Sequence, residues 1–160
     1  MIDKYTWQDV GSSYLPSELQ AAYLFSQLEG AEIINRNRLA TWASYNDAFQ
    51  DEQDKGLVLL SKIPACSEHN GHMFYLILRT KKERGEFISH MKSQGILAVF
   101  HYVPLHSSPA GRKFGSFVGD DMYTSNLSDR LVRLPLYFKM TNDDLKNVIH
   151  TAKKFLSKLQ

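Results

Sequence analysis

Three clusters of side chains in this 160-residue sequence are chemically suggestive. Cys66, Glu68, His69 and His72 crowd one short segment. Thiolate, carboxylate and imidazole are zinc ligands, but a closed structural site takes four good ones, and no second Cys/His pair of matching spacing exists. No metal is therefore expected, and the plain reading is a polar hairpin loop. His101, Tyr102, Pro104 and His106 follow directly on an apolar run, as HYVPLH. Titratable groups at the end of a buried strand are where binding sites form, and imidazole can act as acid, base or hydrogen-bonding partner. Loop histidines satisfied by the backbone are the alternative. Gly11, Ser12, Ser13 and Tyr14 stand just before a helix start. Hydroxyls and free N–H groups there can hold an anion such as phosphate, although serine at such a place is usually only a cap. No Walker loop, dinucleotide glycine fingerprint or nucleophile elbow occurs, and no residue pair forms a self-sufficient catalytic unit.

These clusters hang on a recognisable series of elements. Ser17 and Gln20 form a capping-box signature, and Leu24, Leu28, Ala31, Ile34, Trp42, Tyr45 and Phe49 then recur at steps of three and four, interrupted only by Arg38. About 33 unbroken helical residues would reach ~50 Å, against about 40 Å for the diameter of a compact domain of this length. Such a helix either breaks, with Gly30 as the natural place, or lies against further protein. Next come short strands at 57–60 and 72–78, then a helix over 81–95 with Phe87, Ile88 and Met91 inward. ILAVF (96–100) reads as a fully buried strand, and Leu131–Leu134 as a last extended segment. Thr141 caps a final helix facing inward with Leu145, Val148, Ile149, Ala152, Leu156 and Leu159. The order α–β–β–α–β–β–α gives an α+β domain, a small and mostly antiparallel sheet covered by helices. Its expected division is residues 1–50, an aromatic N-terminal segment with the long connecting helix, and residues 51–160, the small α+β domain.

Composition narrows the class. At 43% apolar and 22% charged residues the chain is globular, and a net charge of +2 without a dense basic stripe argues against nucleic acid as a partner. No apolar run suits a signal peptide or a bilayer span, so no membrane partner is expected. A single cysteine, Cys66, allows no internal disulfide and suits a reducing compartment. The expectation is a cytoplasmic protein.

Four segments, GSSYLPSELQAAYLFSQLE (11–29), HMFYLILR (72–79), AVFHYVPLHSSPAGRKFG (98–115) and SDRLVRLPLYF (128–138), resemble the C-terminal part of the DegT/DnrJ/StrS sugar aminotransferases. The resemblance covers essentially the whole chain. It implies the small C-terminal domain of the aspartate-aminotransferase (type I) fold. It also implies pyridoxal 5'-phosphate as cofactor, glutamate and a dTDP-sugar as substrates, and a homodimer. The cofactor lysine and most cofactor contacts of that family lie in a larger N-terminal domain that no segment here resembles. The resemblance thus implies no catalytic residue in this chain and no activity from it alone. Many members carry G-x-N-x-R before the helix, where the Asn reaches the cofactor phosphate of the neighbouring subunit. Ser13 and Leu15 occupy the Asn and Arg positions here. Ser13 remains the implied cofactor contact, His101, Tyr102 and His106 the substrate side, and Arg133 or Arg112 the donor-carboxylate side. The competing expectation is a free-standing small-ligand-binding or dimerisation module.

Overall fold

The structure, a computed structural model, describes residues 14–159. The chain divides into two compact units between Glu32 and Ile33.

In the first unit, helix α1 spans Glu18–Glu29. Its start is the capping box expected from the sequence. Ser17 Oγ accepts from the Gln20 N–H at 3.3 Å while Gln20 Oε1 accepts from the Ser17 N–H at 2.9 Å. The helix stops at Gly30, and a second one, α2 (Ala31–Ala48), starts immediately after. The continuous inward stripe expected along this run is not realised. No residue of α1 is buried, and Leu24 and Leu28 are 54% and 62% exposed, whereas Tyr45 and Phe49 further on are fully enclosed.

The second unit takes in α2 from Ile33 onward. After it come α3 (Gln50–Asp54), β1 (Val58–Leu59), β2 (Phe74–Leu78), α4 (Lys81–Ser93) and β3 (Val99–Phe100). A 3₁₀ turn (Leu105–Ser107), α5 (Pro109–Phe114), α6 (Thr124–Arg130), β4 (Leu131–Leu134) and α7 (Asn142–Leu156) complete the order, with a last 3₁₀ turn at Ser157–Leu159. The four strands form one sheet in the order β1-β2-β4-β3, every neighbouring pair antiparallel. The small antiparallel α+β architecture read from the sequence is the one observed.

Strand alternation splits the sheet into two unlike faces. Phe74, Leu76 and Leu78 of β2 and Val132 and Leu134 of β4 point into the core, where Phe87 and Met91 of α4 and Val148, Ala152, Phe155 and Leu156 of α7 are buried with them. An aromatic stack from α2 joins this face. Tyr45, Phe49 and Phe74 have ring centroids 5.0–6.5 Å apart, and Trp42 meets Phe74 edge-on at 5.7 Å. The Tyr45 hydroxyl donates to the Pro135 carbonyl at 2.8 Å, and burial pushes this phenol far above its ordinary pKa. Tyr75, Ile77, Leu131 and Arg133 point to the other face and are only half-buried.

Two expectations are corrected and one is extended. ILAVF is not a strand buried on both sides. Only Val99 and Phe100 pair, at the sheet edge, and the run alternates: Ile96 and Ala98 are enclosed while Leu97 is 76% exposed. An edge strand has a single neighbour and one covered face, which a run of apolar letters does not reveal. The long loop after it contains α5, a short helix hidden by its Pro/Gly composition, and α6, whose sequence TSNLSDR shows no apolar period. Pro109 in fact sits in the first turn of α5, where a missing N–H costs nothing, and Ser108 caps it. The inner face of α7 also includes Thr151 and Phe155.

Candidate functional site

HYVPLH leaves the sheet at the end of β3, and the surrounding hydrogen bonds hold it in shape. The Ser107 hydroxyl donates to the Pro104 carbonyl at 3.0 Å, and that of Ser128, on α6, to the Tyr102 carbonyl at 2.8 Å. At Gly111 on α5 an added Cβ would collide with the Leu105 carbonyl, so α5 can pack on the 3₁₀ turn only with glycine there.

His106 lies inside this scaffold. Its Nε2 is 2.8 Å from Asp121 Oδ2 and 3.4 Å from Ser125 Oγ, its ring rests on Phe117 with centroids 4.5 Å apart, and the Ser125 hydroxyl donates to Asp121. Hydrogen bonds from the Ser125 hydroxyl and N–H, then the contact with His106, hold the Asp121 carboxyl below the usual carboxylate range. Serine, histidine and aspartate here do not form an activated nucleophile. Ser125 gives its proton to Asp121, and both oxygens face the same ring nitrogen, which leaves no relay from Ser through His to Asp. The group is a clamp that ties the start of α6 to the loop.

His101, Tyr102 and Arg133 come together. With Val99, Phe100 and Val103 they line a cleft of about 540 Å³. The register explains the meeting, since Val99 and Tyr75 both pair with Arg133 across the sheet, and alternation along the chain puts His101 on the same side as Val99. The His101 and Tyr102 rings meet edge-on at 4.8 Å. His101 Nδ1 and Arg133 Nε are buried with no hydrogen-bond partner among the described residues. Leaving such a group unpaired costs about 1–3 kcal/mol each, so native proteins rarely do so without a ligand or further partner in view. His106 does not line this cleft. Arg112 lines a neighbouring one, taken up below.

The remaining sequence candidates are dispersed. Ser13 lies outside the described residues. Cys66 is exposed, the His69 ring packs on Trp42 at 4.4 Å, and His72 Nδ1 is 3.2 Å from Asn70 Oδ1. No group of three or more potential metal ligands occurs among the described residues. Asp121, Ser125 and Arg84 were not indicated by the sequence. The first two stand in a segment without period, and Arg84 belongs to a charged run that reads as a solvated helix face.

The cofactor implied by the resemblance can be tested against these residues. A lysine that bonds to pyridoxal phosphate has to be drawn out of water or otherwise lowered in pKa. Among the described residues every lysine is exposed except Lys153, which is half-buried with its Nζ 3.3 Å from Glu52 Oε2. The described residues do not provide such a lysine.

A family model, that of the DegT/DnrJ/EryC1/StrS aminotransferases, matches residues 1–153. The chain belongs to this aminotransferase family. It is 33% identical over 153 residues to an uncharacterized protein of Methanocaldococcus jannaschii, a match covering 93% of this chain and 39% of that one. It is 24% identical over 158 residues to the dTDP-3-amino-3,4,6-trideoxy-alpha-D-glucose transaminase of Micromonospora megalomicea, covering 97% and 41% of the two chains. Among solved structures it superposes on Helicobacter pylori PseC, an aminotransferase involved in the biosynthesis of pseudoaminic acid. The TM-score is 0.79 at 17% identity, over 99% of this chain and 43% of that one. The fold is accordingly the small domain of the type I pyridoxal-phosphate fold. The chain spans about two fifths of the length of the relatives it matches. No helix among the described residues is long and apolar enough to cross a membrane.

Proposed function

We propose that this chain forms the small-domain part of a nucleotide-sugar aminotransferase close to dTDP-4-amino-4,6-dideoxygalactose transaminase. The reaction would move the amino group of glutamate to C4 of dTDP-4-keto-6-deoxyglucose, for a surface polysaccharide of the enterobacterial common antigen kind. Family membership supports the reaction class, and the dTDP-amino-sugar transaminase among the relatives supports the nucleotide. GSSYL ahead of the SELQAAYL helix is the sequence mark that favours the 4-amino sugar.

One observation carries the site assignment: His101 Nδ1 and Arg133 Nε are both without a hydrogen-bond partner among the described residues and share one cleft with Tyr102. Arg133 has the planar donor fork that fits the carboxylate of an amino donor, while His101 and Tyr102 offer hydrogen bonds to sugar hydroxyls. His106 acts behind them by holding the loop. Ser13 keeps the role of a donor toward the cofactor phosphate of a neighbouring subunit. The partners are a second copy of the chain and a large domain that binds pyridoxal 5'-phosphate and supplies the reactive lysine. The exposed apolar residues of α1 fit a surface that such partners would cover.

The chain is expected to show neither turnover nor a visible absorbance band of bound cofactor when given pyridoxal phosphate, glutamate and the keto sugar. It is expected to bind the dTDP-sugar weakly, with amide NMR shifts centred on His101, Tyr102 and Arg133 that Arg133→Ala reduces. Turnover by the chain alone, or shifts centred elsewhere, would overturn the reading.

A further inference from the structure

A second cleft adjoins the first at the end of the edge strand and shares Phe100, Tyr102 and Val103 with it. Phe100 pairs with Val132, whose side chain faces the helices, whereas Val99 pairs with Arg133 on the opposite face. The helix-side cleft measures about 530 Å³ and is bounded by Lys81 and Arg84 of α4, Phe100 and Tyr102 of the strand end, Arg112 of α5 and Asp129 of α6. Its volume falls in the range that takes a small organic ligand, larger than a simple ion needs.

The charges in this cleft are unbalanced. Asp129 is engaged by Lys81, whose Nζ lies 3.1 Å from Oδ1 and 3.2 Å from Oδ2. Neither Arg84 nor Arg112 has a carboxylate partner among the described residues. Arg84 Nε is buried without a hydrogen-bond partner, and its guanidinium lies over the Phe100 ring, 5.5 Å from the centroid. A guanidinium fixed against an aromatic face with a desolvated, unpaired N–H is arranged to receive an acceptor, and the arginine fork matches phosphate oxygens better than an ammonium does. The nearby hydroxyls are already committed as donors, Ser107 to Pro104, Ser125 to Asp121 and Ser128 to Tyr102. Recognition of an anion therefore falls to the two arginines. Phe100 and Tyr102 are 52% and 78% exposed, which leaves ring surface for the organic part of a ligand.

We propose that this cleft binds the phosphate groups of a small phosphorylated molecule between Arg84 and Arg112, with its organic part over Phe100 and Tyr102. The cleft shares Phe100, Tyr102 and Val103 with the His101–Arg133 cleft but none of its charged residues, and the anion site at Arg84 and Arg112 stands without the function proposed above.

The test is titration calorimetry of the chain at low salt, with sodium pyrophosphate in one arm and thymidine diphosphate in the other. Both bind, and binding weakens as salt is added. Arg84→Gln and Arg112→Gln each lower the affinity about tenfold or more, the loss expected for a hydrogen bond to a charged group. Lys82→Gln, one residue along α4 but outside the cleft, leaves affinity unchanged. Tighter binding of the nucleotide supports the placement of the organic part on the ring surface, and equal binding overturns that placement. No binding in either arm, or binding indifferent to both arginine changes, overturns the proposal. Arg112 is exposed and its side chain has no hydrogen bond or ion pair among the described residues, so its variant decides the matter even if Arg84→Gln fails to fold.

Discussion

Helices α1 and α2 follow one another along the chain with a single glycine between them, yet they use apolar residues in opposite ways. Leu19, Tyr23, Leu24, Phe25 and Leu28 of α1 are all more than half exposed, while Tyr45, near the end of α2, is at 0% beside Phe49 and stacked on Phe74. Letters alone do not separate them, because both segments carry large hydrophobic residues at helical spacing. What differs is the surface opposite. The end of α2 has a sheet face to bury against, whereas no residue of α1 is buried. Apolar content thus forms a core only where a second element presents a matching face.

Substitutions sharpen this contrast. Phe74→Ala removes the ring at the centre of the stack and is expected to cost about 3–5 kcal/mol in urea unfolding, enough to threaten folding altogether. Tyr45→Phe keeps the ring but leaves the Pro135 carbonyl without its donor, an expected loss of about 1–2 kcal/mol by the same measurement. On α1, Phe25→Ser is expected to change stability by less than about 0.5 kcal/mol while lowering self-association in light scattering, because it reduces an exposed apolar patch. A loss as large as that of Phe74→Ala would mean that α1 is packed after all.

Local signals located most elements. The Ser17 box, the Thr141 cap and the aromatic and branched letters of 72–78 each led to the observed helix or strand. Gly30 marked the break because a helix end is a backbone property that glycine advertises. The sequence was less informative where structure depends on a distant partner. ILAVF has the same letters whether central or at an edge, and only the β3–β4 pairing decides. The site follows the same division. HYVPLH could be picked out by composition, but the meeting of His101 with Arg133 is a matter of register between β3 and β4. That His106 would be occupied by Asp121 and Ser125 depends on how a loop folds back, for which no periodicity exists.

The buried hydroxyl of Tyr45 has an optical consequence. The sequence holds eight tyrosines, and alkaline titration followed by ultraviolet absorbance counts phenolates as they form. Burial raises the pKa of Tyr45 in the folded state, so the contribution of its neutral form to stability is complete below about pH 10 and declines as the pH rises beyond that. Its phenolate is expected to appear late, together with the loss of near-ultraviolet circular dichroism. If the full phenolate absorbance developed while the dichroism persisted, the Tyr45–Pro135 bond would not be the closed contact described here. Otherwise the protein carries an intrinsic, label-free indicator of whether its core is shut.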